Sequence, residues 1–246
     1  MGRLGRLTGG IALASLSFAA VPAHAAESSL SLYFSNTYIW RGINLNDSGV
    51  MQFSLDTGSI SLGENSSLNF NVWGNMDLGD FDGALHSGDF SELDLTVSLS
   101  LPAGFSVGYI EYHFPSSGLL STRELFASWS KDLTISPSVA LYYDVDEVED
   151  FYATVALGYS YALSEKASLD LSALAGIAGE DFAGAYSGGT EGGFYNFDVN
   201  AGVSFQASET VSLSAVLGYG DTLNEDALPD ALTQGFYFGA ALGVSF

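Results

Sequence analysis

The sequence has no cysteine, only five prolines and few basic residues, and two of these shortages exclude a class of protein. Without cysteine there is no disulfide framework, no thiol nucleophile and no thiolate metal site. Only 6 lysines and arginines stand against 29 aspartates and glutamates, which gives a formal net charge of −23 at pH 7. Because phosphate binding needs clustered basic side chains, we expect no nucleic-acid partner.

The chain also lacks an apolar run long enough for a transmembrane helix, which needs about 20 residues. An apolar run, Ile11–Val21, follows a short basic segment and precedes the small-residue motif Ala23-His24-Ala25. This order is typical of a secretory signal peptide. We therefore predict residues 1–25 as a signal peptide cleaved after Ala25, and residues 26–246 as one domain.

What the sequence does contain is a period-two alternation, clearest at its end, QGFYFGAALGVSF. Apolar residues occupy the even positions from Phe236 to Phe246, which predicts a strand with one apolar face. A last strand that ends on Phe is typical of bacterial outer-membrane barrels, whose assembly machinery recognises it. We expect that machinery as a partner and take Gly239, Leu242, Val244 and Phe246 as its signal.

Further alternating segments precede the terminal strand, and tight connections between them alternate with mostly longer ones. This asymmetry predicts an all-β fold, a transmembrane antiparallel up-and-down β-barrel of about 12 strands, with 10 or 14 as alternatives. The predicted strands are Leu30–Ile43, Val50–Leu62, Ser67–Leu78, Phe90–Leu101, Phe105–Phe114, Thr122–Ser130, Leu133–Tyr143, Phe151–Leu163, Ser168–Ala178, Phe194–Ala207, Thr210–Tyr219 and Gln234–Phe246.

The apolar face of each strand is expected to contact lipid, and the polar face to line the lumen. Aromatic residues near the strand ends predict two interfacial girdles, and Tyr38, Trp40 and Tyr195 are assigned to the outer one. A soluble sandwich or lipocalin-like barrel, with its apolar face inward, is the alternative fold. The acidic balance favours either a solvated surface or a field that attracts cations.

Asn, Asp, Ser, Thr and Gly dominate the predicted lumen face, which favours a narrow water path. The alternative is a plugged lumen, because the loops Gly179–Gly193 and Gly220–Thr233 are long enough to fold inward. The small residues of the last strand also make its seam with the first strand a candidate passage.

Arg41 faces the lumen near its outer end by the same alternation. A guanidinium among carboxylates would form one side of a constriction, or else a structural ion pair. Asp56, Asp77 and Asp94 are its candidate partners. The full set of pore-lining candidates is Arg41, Asp56, Asn71, Asn75, Asp77, Asp94, Asn196, Asp198 and Asn200.

The segment Phe34–Asp47, FSNTYIWRGINLND, resembles the first strand of the TorF-type porins, a proteobacterial family. Asn36 departs from the Asp that is usual in the family, and the rest of the chain is similar in composition alone. The resemblance implies an outer-membrane pore-like protein and names no ligand. It is based on Asn36, Tyr38, Trp40, Arg41, Gly42, Ile43 and Asn44.

We therefore expect a porin-like channel of the bacterial outer membrane for passive diffusion of small hydrophilic, cationic or neutral solutes, with no cofactor and no metal site. Membrane lipids, lipopolysaccharide and these solutes are its expected partners. A closed structural or surface-contact barrel without transport is the alternative. A lipid hydrolase is third, because His86 and His113 lack a serine two residues away on the same strand.

Overall fold

A computed structural model of the protein gives its fold over most of the chain. The residues described are 28–63, 65–80, 86–116, 119–233 and 235–246. The predicted signal peptide and its cleavage site lie outside these residues. No helix in the described part of the chain has the length and apolar character needed to cross a membrane.

Twelve antiparallel strands form one closed barrel, which confirms the fold predicted from the alternation. Each barrel strand pairs with the next one along the chain, and the first pairs with the last. In chain order the strands are β1 (Ser29–Ser35), β2 (Tyr38–Trp40), β3 (Ile43–Asn46), β4 (Val50–Gly63), β5 (Ser66–Asp77), β6 (Phe90–Ser100), β7 (Phe105–His113), β8 (Thr122–Ser130), β9 (Ser136–Asp144), β10 (Phe151–Ala162), β11 (Ala167–Ala178), β12 (Gly193–Gln206), β13 (Val211–Thr222) and β14 (Gly235–Ser245). An α-helix, α1 (Glu180–Ser187), lies between β11 and β12.

The barrel turns its apolar face outward and its polar face inward. On β14, Phe236 and Phe238 are 69% and 63% exposed, whereas Tyr237 between them points inward and is 2% exposed. Leu and Val side chains of the other strands are exposed in the same alternation. This orientation is the reverse of a soluble barrel, and it contradicts the alternative fold with an inward apolar face.

The two ends of the barrel differ in their connections. Ser28 and Phe246 exchange backbone hydrogen bonds of 3.1 and 2.9 Å at one end, which is called the inner end here. Turns at the inner end are short, such as the one between Ser100 and Phe105. The longer connections, including residues 179–192 and 223–234, leave the opposite, outer end. The alternation of loop lengths therefore follows the prediction.

The first predicted strand, Leu30–Ile43, is wrong beyond Ser35. The chain leaves the wall there, and β2 and β3 form a separate two-stranded hairpin. Its tip, Arg41-Gly42, has φ angles of 50° and 85°, as in the two-residue turns that favour β-hairpins. Period-two alternation occurs in a wall strand and in a hairpin alike, so the pattern did not distinguish them.

The girdle assignment is wrong for three aromatic residues. Tyr38 and Trp40 lie on the hairpin and pack inside the barrel, and Tyr195 is fully buried on the inward side of β12. A register shift in the β11–β12 pairing, between Ala175 and Ile177, accompanies this change of side. Because a β-bulge adds one residue to a strand, it reverses the facing of the residues beyond it.

Candidate functional site

The outer half of the lumen is occupied by two segments, the β2–β3 hairpin (Tyr38–Asn46) and helix α1, together called the plug. The side chain of Arg41 reaches Glu124 on β8, which lies five strand positions from β1 around the ring of twelve. Gly42 approaches β12 on the other side, where a Cβ atom on it would lie 2.5 Å from Cβ of Asn196. The hairpin therefore bridges the bore.

The tip of the hairpin is attached by a two-point ion pair. Nη1 of Arg41 donates to Oε1 of Glu124 at 2.7 Å, and Nη2 donates to Oε2 at 2.6 Å. The hydroxyl of Tyr112, on β7, donates to Oε2 at 2.8 Å. The Arg41 and Glu124 side chains are 7% and 1% exposed, so the pair is removed from water.

Aromatic rings enclose the Arg41 guanidinium. Its Cζ atom lies 4.6 Å from the ring centre of Trp40, 4.6 Å from that of Tyr142 and 4.8 Å from that of Tyr152. Phe182 of α1 closes the arrangement at 5.5 Å. Each distance is within the range of about 6 Å over which a cation is attracted to a ring face.

The charge of Arg41 is held by these neighbours. Burial disfavours the guanidinium charge, but the Glu124 carboxylate outweighs burial and raises the pKa of Arg41 above its ordinary value. Removing one partner of such a buried pair costs about 3–5 kcal/mol, because the other charge is left unpaired. The ion pair is therefore a strong link between the plug and the wall.

Two further carboxyl groups face the plug from β6. The hydroxyl of Tyr38 donates to Oε2 of Glu92 at 2.8 Å, and Asp94 follows two residues later on the same face of β6. Oδ1 of Asp94 is buried and finds no hydrogen-bond partner among the described residues. Together with Glu124, which pairs with Arg41, three buried acidic side chains therefore lie at the level of the plug.

The base of the hairpin is attached to β5 by amide–carboxylate contacts. Asn46 Nδ2 donates to Oδ1 of Asp77 at 2.7 Å, and Asn75 Nδ2 donates to the same oxygen at 3.1 Å. Asn75 also donates to Oγ of Ser91 and accepts a hydrogen bond from Gln52. All five residues are buried, so this network closes the lumen on the β4–β6 side.

Helix α1 closes the opposite side of the plug. Phe182 is fully buried and stacks on Trp40, with ring centres 5.8 Å apart, and on Tyr152, at 5.6 Å. The hydroxyl of Ser187 donates to the carbonyl oxygen of Ala227 at 2.8 Å, which ties α1 to the loop after β13. Both Gly179–Gly193 and Gly220–Thr233 therefore contribute to packing at the outer end, as the plugged-lumen alternative described.

The seam between β1 and β14 is filled by tyrosines. A Cβ atom on Gly239 would lie 2.3 Å from the hydroxyl of Tyr33, so that ring occupies the space beside the glycine. The single hydroxyl proton of Tyr237 is directed at two acceptors, Oδ2 of Asp198 at 2.7 Å and Oδ1 of Asn200 at 2.8 Å. At Gly239 the seam predicted as a passage is therefore filled by the Tyr33 ring.

The inner half of the lumen has a different lining, called the vestibule here. Asn71 donates to Ser54 at 2.7 Å and to Asp56 at 2.9 Å on the β4–β5 side. Asp170, across the barrel, accepts hydrogen bonds from three serines on β10, β11 and β12. Their donor oxygens lie 2.6 to 3.0 Å away, and Asp56 is exposed. The vestibule is therefore lined by small polar and acidic side chains and is open to solvent.

The basic side chains other than Arg41 in the described part of the chain lie away from the vestibule. Arg123 faces outward on β8 and pairs with Asp146 at 2.8 Å. Lys131 and Lys166 lie in exposed inner turns. The vestibule therefore carries acidic groups that these basic residues do not neutralise.

The predicted lumen residues divide between these two levels. Asp56 and Asn71 lie in the vestibule, and the others belong to the plug or to the wall networks around it. The hydroxyl of Tyr152 donates to Asn196 at 2.9 Å beside the plug. Asp56 and Asp77 hydrogen-bond elsewhere, and the partner that pairs with Arg41 is Glu124. A role for any of these residues in lining a pore stays a prediction.

Sequence reasoning missed the residues that bind Arg41. Glu124 lies on the polar face of the β8 alternation, near the outer end, and Tyr112 lies on the neighbouring strand β7, two residues beyond Ile110, the residue that pairs with Glu124. Both signals were readable, as an acid and a tyrosine on the lumen face at the height of Arg41. The alternation did not show how far apart the hairpin tip and β8 lie across the lumen.

The structure brings one histidine close to a serine on the outward face. Nδ1 of His113 lies 3.0 Å from Oγ of Ser121, and Nε2 lies 3.5 Å from Glu111. Glu111 is shared with the guanidinium of Arg123, whose Nε atom is 3.7 Å away. This arrangement is a cross-strand polar cluster at the outer rim, and its carboxylate already has a cationic partner.

The fold is similar to those of solved outer-membrane channels and porins. The COG4313 outer membrane channel from Pseudomonas putida F1 is 13% identical, with a TM-score of 0.58 over 91% of this chain and 97% of that one. The KdgM porin is 9% identical, with a TM-score of 0.50 over 89% of this chain and 99% of that one. At these identities the likeness concerns the fold.

Sequence comparison adds no relative. No family model matches the chain, and neither does any curated protein. The resemblance to TorF-type porins therefore stays a prediction. What the comparisons support is the porin-type barrel itself.

Proposed function

We propose that this protein is a porin-like channel of the bacterial outer membrane for passive diffusion of small hydrophilic solutes, and that the plug closes it in the conformation described. The apolar outward face supports a lipid environment, because lipid-facing and lumen-facing residues alternate in such barrels. The signal peptide predicted for residues 1–25 is consistent with export.

One observation supports a channel above all. The hairpin lies between β1 and β4 in the sequence, but it is not part of the barrel wall. β1 pairs directly with β4, with Ser35 opposite Val50, so the barrel is complete on either side of the hairpin. The hairpin is attached to the far wall through the side chains of Arg41 and Tyr38. Releasing these contacts would free the tip of the hairpin without breaking the barrel.

The charges of the lumen favour cations over anions. Asp56 and Asp170 lie in the vestibule, and Glu124 lies at the level of the plug, where release of the hairpin tip would leave its charge unpaired. Fixed carboxylates in a narrow water-filled lumen raise the local concentration of cations and repel anions. We therefore propose cationic or neutral solutes as the permeant class.

A closed structural barrel is the second candidate, because the plug contacts the wall on both sides of the bore. Glu92 and Glu124 bind it on one side, and Asn196 contacts it on the other. In this alternative the plug never leaves, and the polar lumen is a packed interior with a solvated inner end.

Planar-bilayer conductance separates these two functions. Tyr38–Asn46 would be replaced by a short Gly-Ser linker, and Arg123→Ala would serve as a control that leaves the plug intact. We expect low conductance from the wild type and the control, and higher, cation-selective conductance from the linker variant in a KCl gradient. A folded linker variant that does not conduct would support the structural barrel. Anion selectivity would contradict the role proposed for the carboxylates.

A further inference from the structure

The group that holds the tip of the hairpin has the composition of a ligand-binding site. Glu124, Tyr112, Tyr142, Tyr152 and Phe182, together called the cage, surround the guanidinium of Arg41. The first four belong to the barrel wall and the fifth to α1. A carboxylate with aromatic faces around it is a combination that recognises organic cations.

The cage is positioned by contacts that do not involve Arg41. The Tyr112 hydroxyl fixes Glu124 at 2.8 Å, and the Tyr152 hydroxyl is held by Asn196 at 2.9 Å. The backbone N–H of Phe182 donates to Oδ2 of Asp150 at 2.9 Å. These groups therefore remain close to their bound arrangement when the hairpin tip leaves, which lowers the cost of binding another occupant.

The geometry of the cage selects a planar forked cation. Both oxygens of Glu124 receive one N–H each, at 2.7 and 2.6 Å, as in bidentate guanidinium–carboxylate pairs. The Tyr142 and Tyr152 rings, at 4.6 and 4.8 Å, lie over the same guanidinium carbon. A compact hydrated ion such as Na⁺ cannot make both sets of contacts, and an ammonium group lacks the fork.

Arg41, whose guanidinium occupies the cage, lies in a turn with a backbone conformation that arginine rarely adopts. Arg41 has φ of 50°, in the left-handed region that non-glycine residues adopt at a cost. In a two-residue hairpin turn this place is usually taken by Asn, Asp or Gly. An arginine at the tip of a hairpin inserted between two paired wall strands presents its guanidinium like a tethered ligand.

We infer that the cage is a binding site for organic cations that carry a guanidinium group, and that Arg41 occupies it as the chain's own ligand. A solute of this class competes with Arg41 for Glu124 and the rings. When the solute binds, the hairpin tip loses its attachment, and the outer lumen begins to open. The role of the cage in transport rests on the proposed channel, and guanidinium compounds would be the solute class of that channel.

Competition from Arg41 sets the affinity expected of the wild type. A ligand tethered to the same chain has an effective concentration of millimolar order or above. A free guanidinium compound must exceed that concentration to displace Arg41. Removing the Arg41 side chain removes the competitor, so the same compound binds more tightly to the variant than to the wild type.

Calorimetric titration of the detergent-solubilised full chain with methylguanidinium chloride, against matched NaCl, tests the inference. We expect Arg41→Ala to bind methylguanidinium with an apparent Kd at least about tenfold lower than the wild type. The double variant Arg41→Ala/Glu124→Gln should lose this binding. Arg123→Ala removes a guanidinium from two surface carboxylates and should behave like the wild type.

Each opposite outcome overturns the inference. Binding to Arg41→Ala no tighter than to Arg123→Ala would show unspecific pairing with carboxylates, and binding that survives Glu124→Gln would place the ligand elsewhere. If Arg41→Ala does not fold, Arg41→Lys replaces it. The Kd of this variant must fall below that of the wild type, because an ammonium competes less well for the forked site.

Binding and conductance are measured separately, so this inference and the proposed channel can fail independently. If the barrel binds methylguanidinium but never conducts, the binding site is supported and the channel is contradicted. If the barrel conducts but does not bind methylguanidinium, the channel is supported and the cage is contradicted as a solute site.

Discussion

Arg41 and Glu124 are 83 residues apart in the chain and form a buried two-point ion pair across the lumen, with N–O distances of 2.6 and 2.7 Å. One residue is on a hairpin tip and the other on the wall of a barrel that is complete without the hairpin. The pair therefore links the plug to the wall across the bore. Four predictions follow from this contact and from the parts of the barrel around it.

Glu124→Gln should release the hairpin tip. The substitution leaves the Arg41 charge without its carboxylate, which costs about 3–5 kcal/mol for a buried pair. We expect more frequent channel openings in planar bilayers and a less stable barrel in urea. Glu111→Gln is the matched control, since Glu111 pairs on the outward face with Arg123, whose Nε atom is 3.7 Å away. Equal behaviour of the two variants would contradict a closing role for the Arg41–Glu124 pair.

Gly42→Ala should loosen the hairpin through its backbone and its contact with β12. Gly42 has φ of 85°, and the added Cβ would lie 2.5 Å from the Cβ atom of Asn196. Gly188→Ala is the control, because Gly188 also has a positive φ, 68°, but has open space around it. This variant therefore measures only the cost of a left-handed alanine, roughly 1–2 kcal/mol. Trypsin cleavage after Arg41 measures hairpin release. We expect faster cleavage in Gly42→Ala than in Gly188→Ala, and similar rates would argue against the contact with Asn196.

Neutralising the vestibule should reduce cation selectivity. In the linker variant that lacks the hairpin, Asp56→Asn combined with Asp170→Asn removes two lumen charges while keeping side-chain size. We expect the reversal potential in a KCl gradient to shift toward zero, because fixed carboxylates set the local cation concentration. Asp132→Asn, in an exposed inner turn, removes a charge outside the lumen and should leave the potential unchanged. A shift in the control alone would place selectivity at the barrel mouth.

Phe246→Ala should lower the amount of protein assembled in the outer membrane. Phe246 is the last residue of the predicted C-terminal signal for the outer-membrane assembly machinery, so its loss should impair recognition of the chain. Phe236→Ala is a matched control on the same strand, because the two side chains are 68% and 69% exposed. Heat-modifiable mobility of the folded barrel in membrane fractions measures assembly. An equal loss from both variants would indicate a general loss of lipid contact.

How far the sequence predicted the fold is visible strand by strand. β8 was predicted as Thr122–Ser130 and is observed over the same residues, and β10 differs by one residue at its end. These strands follow from a local property, the alternation of lumen-facing and lipid-facing side chains. The alternation failed at Leu30–Ile43, where Arg41-Gly42 is a turn, and at Tyr195, where a bulge reverses the facing.

The sequence by itself determined the class of this protein. Alternation, loop lengths and the terminal Phe are local features of the chain, and they predicted about twelve strands, with 10 or 14 as alternatives, their order and their outward apolar face. Only the tertiary structure decided what fills the lumen. Arg41 meets Glu124, rather than Asp56, Asp77 or Asp94, because the ring of strands places β8 nearly opposite β1 and the hairpin spans the bore between them. Distances across a closed barrel depend on strand tilt and register over the whole sheet, which no local pattern contains.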